Sequence, residues 1–107
     1  MEFLALDKSL ELIRLLRPLV VVIRRHDPKL VGQIRDAANS AGQNLAEGNG
    51  RVGRDRLHLW RVALTSAEEV HMELRQAEAW GYVKPAEIAQ ARDVANHLIR
   101  MIQKLLR

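Results

Sequence analysis

The sequence predicts an all-α chain folded as an up-down-up-down antiparallel four-helix bundle, on three observations. Apolar residues recur at three- and four-residue spacing along nearly the whole length. Glycine, proline and capping residues divide the chain into four segments with connections short enough to make neighbours antiparallel. No alternating strand pattern, internal repeat or low-complexity stretch competes with that reading.

The first segment runs from about Asp7 to Arg25, with Leu6, Leu10, Ile13, Leu16, Val20 and Ile23 at helical spacing. Pro18 removes the amide that would bond to the carbonyl of Arg14, so a kink or restart is expected there. The β-branched run after Pro18 has strand propensity, but nothing else in the chain offers a pairing partner. The second segment, about residues 28–47, has Asp27 as N-cap and Pro28 at the first helical position, where a missing amide does no harm. Leu30, Ile34, Ala37, Ala38, Ala41 and Leu45 form its buried stripe, and Gly48 is read as its C-terminal stop. The alanines imply close approach of a neighbouring helix.

The third segment, about Arg54 to Trp80, is closed by Gly81. Its apolar and small residues fall in two stripes. One holds Leu57, Trp60, Leu64, Ala67, His71 and Leu74, the other Leu59, Ala63, Ser66, Val70 and Ala77. Together they cover roughly 200° of the circumference, about twice the stripe of an ordinary surface helix. The fourth segment, about Pro85 to Leu106, buries Ile88, Ala91, Ala95, Leu98, Ile102 and Leu105.

Composition narrows the function classes. A chain of 107 residues is read as one domain, residues 1–107, with a single modest core. The absence of cysteine removes disulfides, thiolate metal sites and cysteine nucleophiles, and fits a reducing, cytoplasmic location. Residues 1–7 lack the positive n-region of a signal peptide, and the longest apolar run, Leu19–Ile23, is far short of a membrane span. Residues 1–61 hold eleven Lys/Arg against seven Asp/Glu, whereas residues 62–107 hold six against six, so the net charge of +4 is confined to the first half. Such an excess attracts polyanions or simply keeps the protein soluble.

The densest motif is Asn44-Leu45-Ala46-Glu47-Gly48, followed by Asn49-Gly50-Arg51-Val52-Gly53-Arg54. Upstream stands Gln33-Ile34-Arg35-Asp36-Ala37-Ala38-Asn39-Ser40; downstream stand Ala63-Leu64-Thr65-Ser66-Ala67-Glu68-Glu69-Val70 and Gly81-Tyr82. In this combination the chain resembles the four-helix-bundle proteins encoded by intervening sequences in bacterial 23S ribosomal RNA genes. It departs from their common pattern at Thr65, where they usually have glycine. The resemblance implies a homopentameric ring. It also implies kinship with the accessory variability proteins of diversity-generating retroelements, basic pentamers that bind a reverse transcriptase and nucleic acid. No enzymatic activity and no cofactor come with it.

The residues themselves carry both a sharp and a bland meaning. Arg51, Arg54, Arg56 and Arg61, with His58 among them and only Asp55 opposing, are candidates for phosphate contact, aided by the Asp55 and Arg56 amides at a helix start. Arg14, Arg17, Arg24 and Arg25 add to them; among these, Arg24 and Arg25 join the candidate nucleic-acid contacts. Without interleaved aromatics, binding would be backbone-directed and salt-sensitive. The same arginines could equally form subunit ion pairs. Asn44, Glu47, Gly48, Ser66, Glu69 and Gly81 are read as a structural signature: Asn44 and Glu47 bond the loop backbone or reach Ser66 and Glu69, and Glu47 pairs with Arg51.

Glu68-x-x-His71 has the spacing of half a di-metal site, but the second half is missing. His71 is therefore expected to be a hydrogen-bonded core or interface residue. No catalytic and no metal residue is expected. Leu59, Trp60, Trp80, Tyr82, Val21 and Val22 are candidates for an interface between copies, because the third helix and the first after Pro18 are apolar too far round for one bundle to cover. The expectation is a non-catalytic oligomer that binds RNA or DNA through a basic surface. The alternative is a protein-interaction scaffold with no nucleic-acid binding.

Overall fold

The structure is a computed structural model that describes residues 3–107. It contains four helices, α1 (Leu4–Arg24), α2 (Pro28–Asn49), α3 (Gly53–Ala79) and α4 (Pro85–Leu105), and no strand among the described residues. Each helix packs on its neighbours in sequence, and α1 packs back on α4 to close the four-sided bundle. The molecule measures 43 × 22 × 21 Å, so its long axis is that of α3. The alternation gives it two unlike ends. The α2–α3 turn shares one end with the start of α1 and the close of α4; residues 25–27 and 80–84 form the far end.

Capping chemistry sets three of the boundaries: the starts of α2 and α4 and the end of α3. Asp27 Oδ1 accepts the Leu30 amide at 3.0 Å, and the Glu87 carboxylate accepts the Lys84 amide at 2.9 Å. Gly81 ends α3 with φ +80°, while its amide bonds to the Glu78 carbonyl and the Tyr82 amide to the Ala77 carbonyl, each at 2.9 Å. That pair of bonds is a Schellman motif, which a side chain at position 81 would strain.

The buried stripes of α2 and α4 follow the sequence periodicity; those of α1 and α3 depart from it. Helix α1 buries Ala5, Ser9, Leu12, Leu16, Leu19 and Ile23, a stripe rotated from the expected one, and Leu10 is 41% exposed. The rotation arises because α1 is apolar over most of its circumference, so packing rather than period selects its inner face. Pro18 lies inside an unbroken helix and does not restart it. Against α1, Ser9 Oγ donates to the Leu6 carbonyl at 2.7 Å and sits where a Cβ on Gly42 would meet it at 3.1 Å. The small residues of α2 thus admit α1 closely.

Helix α3 has one buried stripe through its centre: Trp60, Ala63, Ser66, Ala67, Val70, Glu73, Leu74 and Ala77. Leu57, Leu59, Leu64 and His71 flank it half-buried. The two expected stripes are therefore the middle and edges of one face. Thr65, where the family pattern has glycine, is exposed beside buried Ser66.

Candidate nucleic-acid interface

The α2–α3 turn is assembled by Trp60 and Arg56 of α3 acting on the last turns of α2. The Trp60 indole N–H donates to the Leu45 carbonyl at 3.3 Å. A Cβ on Gly48 would lie 2.6 and 2.7 Å from the indole Cδ1 and Nε1, so only glycine leaves room for this ring. Gly48 is therefore not the helix stop: α2 continues to Asn49, Gly50 is the C-cap, and the glycine serves a close approach. Arg56 lies 5.2 Å over the Trp60 ring, donating from Nε to the Gly48 carbonyl and from Nη2 to the Asn49 carbonyl, both at 3.1 Å. It bonds the Asn49 carbonyl at the helix end and is a second donor to that of Gly48, which also accepts the Arg51 amide at 3.0 Å. Phe3 packs on the outer side of the indole, ring centroids 5.9 Å apart.

This arrangement sorts the arginines. Arg56 is committed to closing the turn. Arg51 stands between Glu47 at 3.4 Å and Asp55 at 4.0 Å, in ion pairs that are exposed and therefore weak. Arg54 and Arg61, seven residues apart on α3, present the same exposed side with His58 between them, and neither has an ion-pair partner among the described residues. Arg100, Lys104 and Arg107 of the α4 terminus are exposed at the same end. Arg24 and Arg25 are exposed at the far end, nearly the length of the molecule away. The structure thus splits the six candidate contacts into two groups.

Asn44 reaches α3 only indirectly. Its Nδ2 donates to the Ser40 carbonyl at 2.8 Å and to Ser40 Oγ at 3.2 Å, and Ser40 Oγ bonds Ser66 Oγ at 2.8 Å. Glu69 takes no part in that chain of bonds.

At the far end the aromatic residues stack. Tyr82 lies parallel to His26 at 5.0 Å and to Trp80 at 6.5 Å, and its hydroxyl donates to Asp27 Oδ2 at 3.2 Å. Burial and the Asp27 carboxylate push the Tyr82 phenol up. Of the candidate interface residues, Trp80 (73%) and Val21 (53%) are exposed, whereas Leu59, Tyr82 and Val22 are half-covered. Trp60, at 7%, belongs to the chain's own core and offers little to another copy.

A family model described as 23S rRNA-intervening sequence protein matches residues 5–104. The chain belongs to this family. A crystal structure from the S23 ribosomal protein family of Bacteroides thetaiotaomicron, titled as a protein with unknown function, superposes with a TM-score of 0.85 at 20% identity, covering 96% of this chain and 98% of that one. At that identity the likeness is one of fold. No protein of curated function matches the sequence.

In this 23S rRNA-intervening sequence protein a second feature escapes the sequence reading. Between α2 and α3, toward the far end, a groove of about 590 Å³ is lined by Asp36, Glu69, Glu73, Gln33, Gln76 and Met72 among others. Glu73 is 9% exposed, and its Oε1 is buried without a hydrogen-bond partner among the described residues. Burial first, then the Glu69 and Asp36 carboxylates, push its carboxyl up to about 7. The signal was present as a polar gap in an otherwise small and apolar stripe, Ala63-Ser66-Val70-Glu73-Ala77. His71 lies half-buried at the edge of the α3 face and, contrary to the expected hydrogen-bonded role, its Nε2 is buried without a partner among the described residues. Burial, then Arg92 and Arg75, lower its basicity, so it faces cations where a metal ligand would need anions. Among the described residues no three His, Cys, Asp or Glu side chains are grouped to hold a metal ion.

Proposed function

We propose that the chain acts as one four-helix unit in a non-catalytic homo-oligomer, a pentameric ring on the family resemblance. Its turn end binds RNA or DNA through the phosphate backbone, in the cytoplasm. The observation that carries this reading is the exposed stripe Arg54, His58 and Arg61 beside the start of α3, whose first-turn amides add partial positive charge. Arg51 joins it by exchanging one exposed carboxylate for a phosphate. Repetition around a ring multiplies weak contacts. Among the described residues no helix is long and apolar enough to cross a membrane, and no membrane partner is proposed.

The test is titration of labelled RNA and DNA at two salt concentrations, with the oligomer mass measured in the same buffers. Binding should weaken steeply with salt, log affinity falling by roughly 0.9 per phosphate neutralised on duplex DNA for each unit of log salt. Arg54→Glu with Arg61→Glu should abolish binding and leave the mass unchanged. A second reading, a protein-interaction scaffold without nucleic-acid binding, is favoured by the commitment of Arg56 to the turn and by the acidic groove. An oligomer with no polyanion affinity at low salt would select it.

A further inference from the structure

We propose that the acidic groove between α2 and α3 is a docking site for a second copy of this chain, which inserts arginine side chains from its own α1–α2 face. The inference rests on the association of copies proposed above and names the surfaces that would carry it.

The groove lacks a cation. A carboxylate nine-tenths buried with a bare oxygen is unfavourable unless a partner arrives, and Glu73 has none among the described residues. Asp36 and Glu69 stand exposed at its sides, also without ion pairs among the described residues. A divalent ion would require these carboxylates to converge, and they are not grouped to do so. A guanidinium is planar, carries five N–H donors and is weakly hydrated, so it can bridge separated carboxylates while lying against the exposed thioether of Met72.

The same chain supplies such groups on an adjacent side. Between α1 and α2 a cleft of about 340 Å³, floored by residues such as Leu16 and Ile34, is edged by Arg17, Arg24 and Arg35. None of the three has an ion-pair partner among the described residues. Helix α2 divides the two charges within one peptide step: Arg35 lines the basic cleft and Asp36 the acidic groove. Each side also leaves apolar surface in water, Met72 (50%) on α3 and Trp80 (73%) at its C-cap, and Leu10 (41%) and Val21 (53%) on α1. Acidic against acidic, or basic against basic, would repel. Acidic against basic joins copies head to tail.

Sedimentation analysis of four proteins tests the pairing. Asp36→Lys with Glu69→Lys reverses the groove, Arg17→Glu with Arg35→Glu reverses the cleft, and a third variant carries all four changes beside the wild type. All four positions are exposed, so the fold should survive; circular dichroism melts verify it. Wild type should associate at micromolar concentration, each two-site reversal should weaken association at least about tenfold, and the four-site variant should regain it. Glu73→Gln should weaken association without lowering the melting temperature. A wild-type monomer would sink the association reading as a whole. A wild-type oligomer whose mass survives both reversals would assign the groove to some other partner and overturn only this proposal, as would a four-site variant that stays dissociated.

Discussion

Helices α2 and α3 lie against each other along their whole length, yet the two halves of their contact are built on opposite terms. In the turn half the buried polar groups are matched: the indole N–H to Leu45, the Arg56 guanidinium to two helix-end carbonyls, Ser66 to Ser40, and Ser40 in turn to Asn44. In the far half a buried carboxyl has no partner among the described residues, two exposed carboxylates stand at the sides of its groove, and Trp80, just past the end of α3, stands in water. One half is finished within the chain. The other is left unfinished among the described residues, and unsatisfied buried groups cost stability.

The largest expected effect lies in the finished half. Trp60→Ala should cost about 3–5 kcal/mol of unfolding free energy, read from the denaturant midpoint, because it removes a buried ring and the contacts that ring makes with the end of α2. Gly48→Ala should cost about 1–3 kcal/mol, since the new methyl overlaps the indole. Combining it with Trp60→Phe should cost less than the sum of the two single changes, because the smaller ring gives way.

The unfinished half should respond to pH instead. Glu73 titrates in the folded chain near 7, above its ordinary 4.5, so the folded state holds the extra proton between those values and stability falls as pH rises through that window. Glu73→Gln should remove that dependence. At protein concentrations too low for association it should gain on the order of 2–3 kcal/mol over wild type at pH 8 and almost nothing at pH 4, measured by thermal melts. Wild-type stability that stays level from pH 4 to 8 would erase the contrast between the halves.

Smaller effects sharpen it. Arg56→Gln should cost about 1 kcal/mol by exposing the α2 carbonyls, with the loss in stability rather than in nucleic-acid affinity. Trp80→Ala should change monomer stability by less than about 0.5 kcal/mol, because the ring is mostly hydrated already.

What the sequence disclosed follows the same division. Helices α2 and α4 have one apolar face each, and their buried residues were readable from period and caps. Helix α1 has too many apolar residues for period to choose among them, so its inner face waited on packing. Gly48 was legible as important but not for its reason, because a ring twelve residues later gives the glycine its use. The arginines at 24, 25 and 51–61 formed one list along the chain and two groups in space, since antiparallel folding carries the end of α1 away from the α2–α3 turn. Glu73 was hidden by its class: a charged residue in a stripe of small ones reads as a gap until the helix across from it is in place.

The adjacency of Arg35 and Asp36 has a geometric consequence for any assembly built through both sides of α2. Copies joined donor to acceptor all point the same way, so an open row always ends with one bare groove and one bare cleft, and closing the circle removes both. The number of subunits is then fixed by the angle between two grooves on one helix. Every closed circle so formed has two different rims, and all of the α2–α3 turns, with their arginines, lie on one of them.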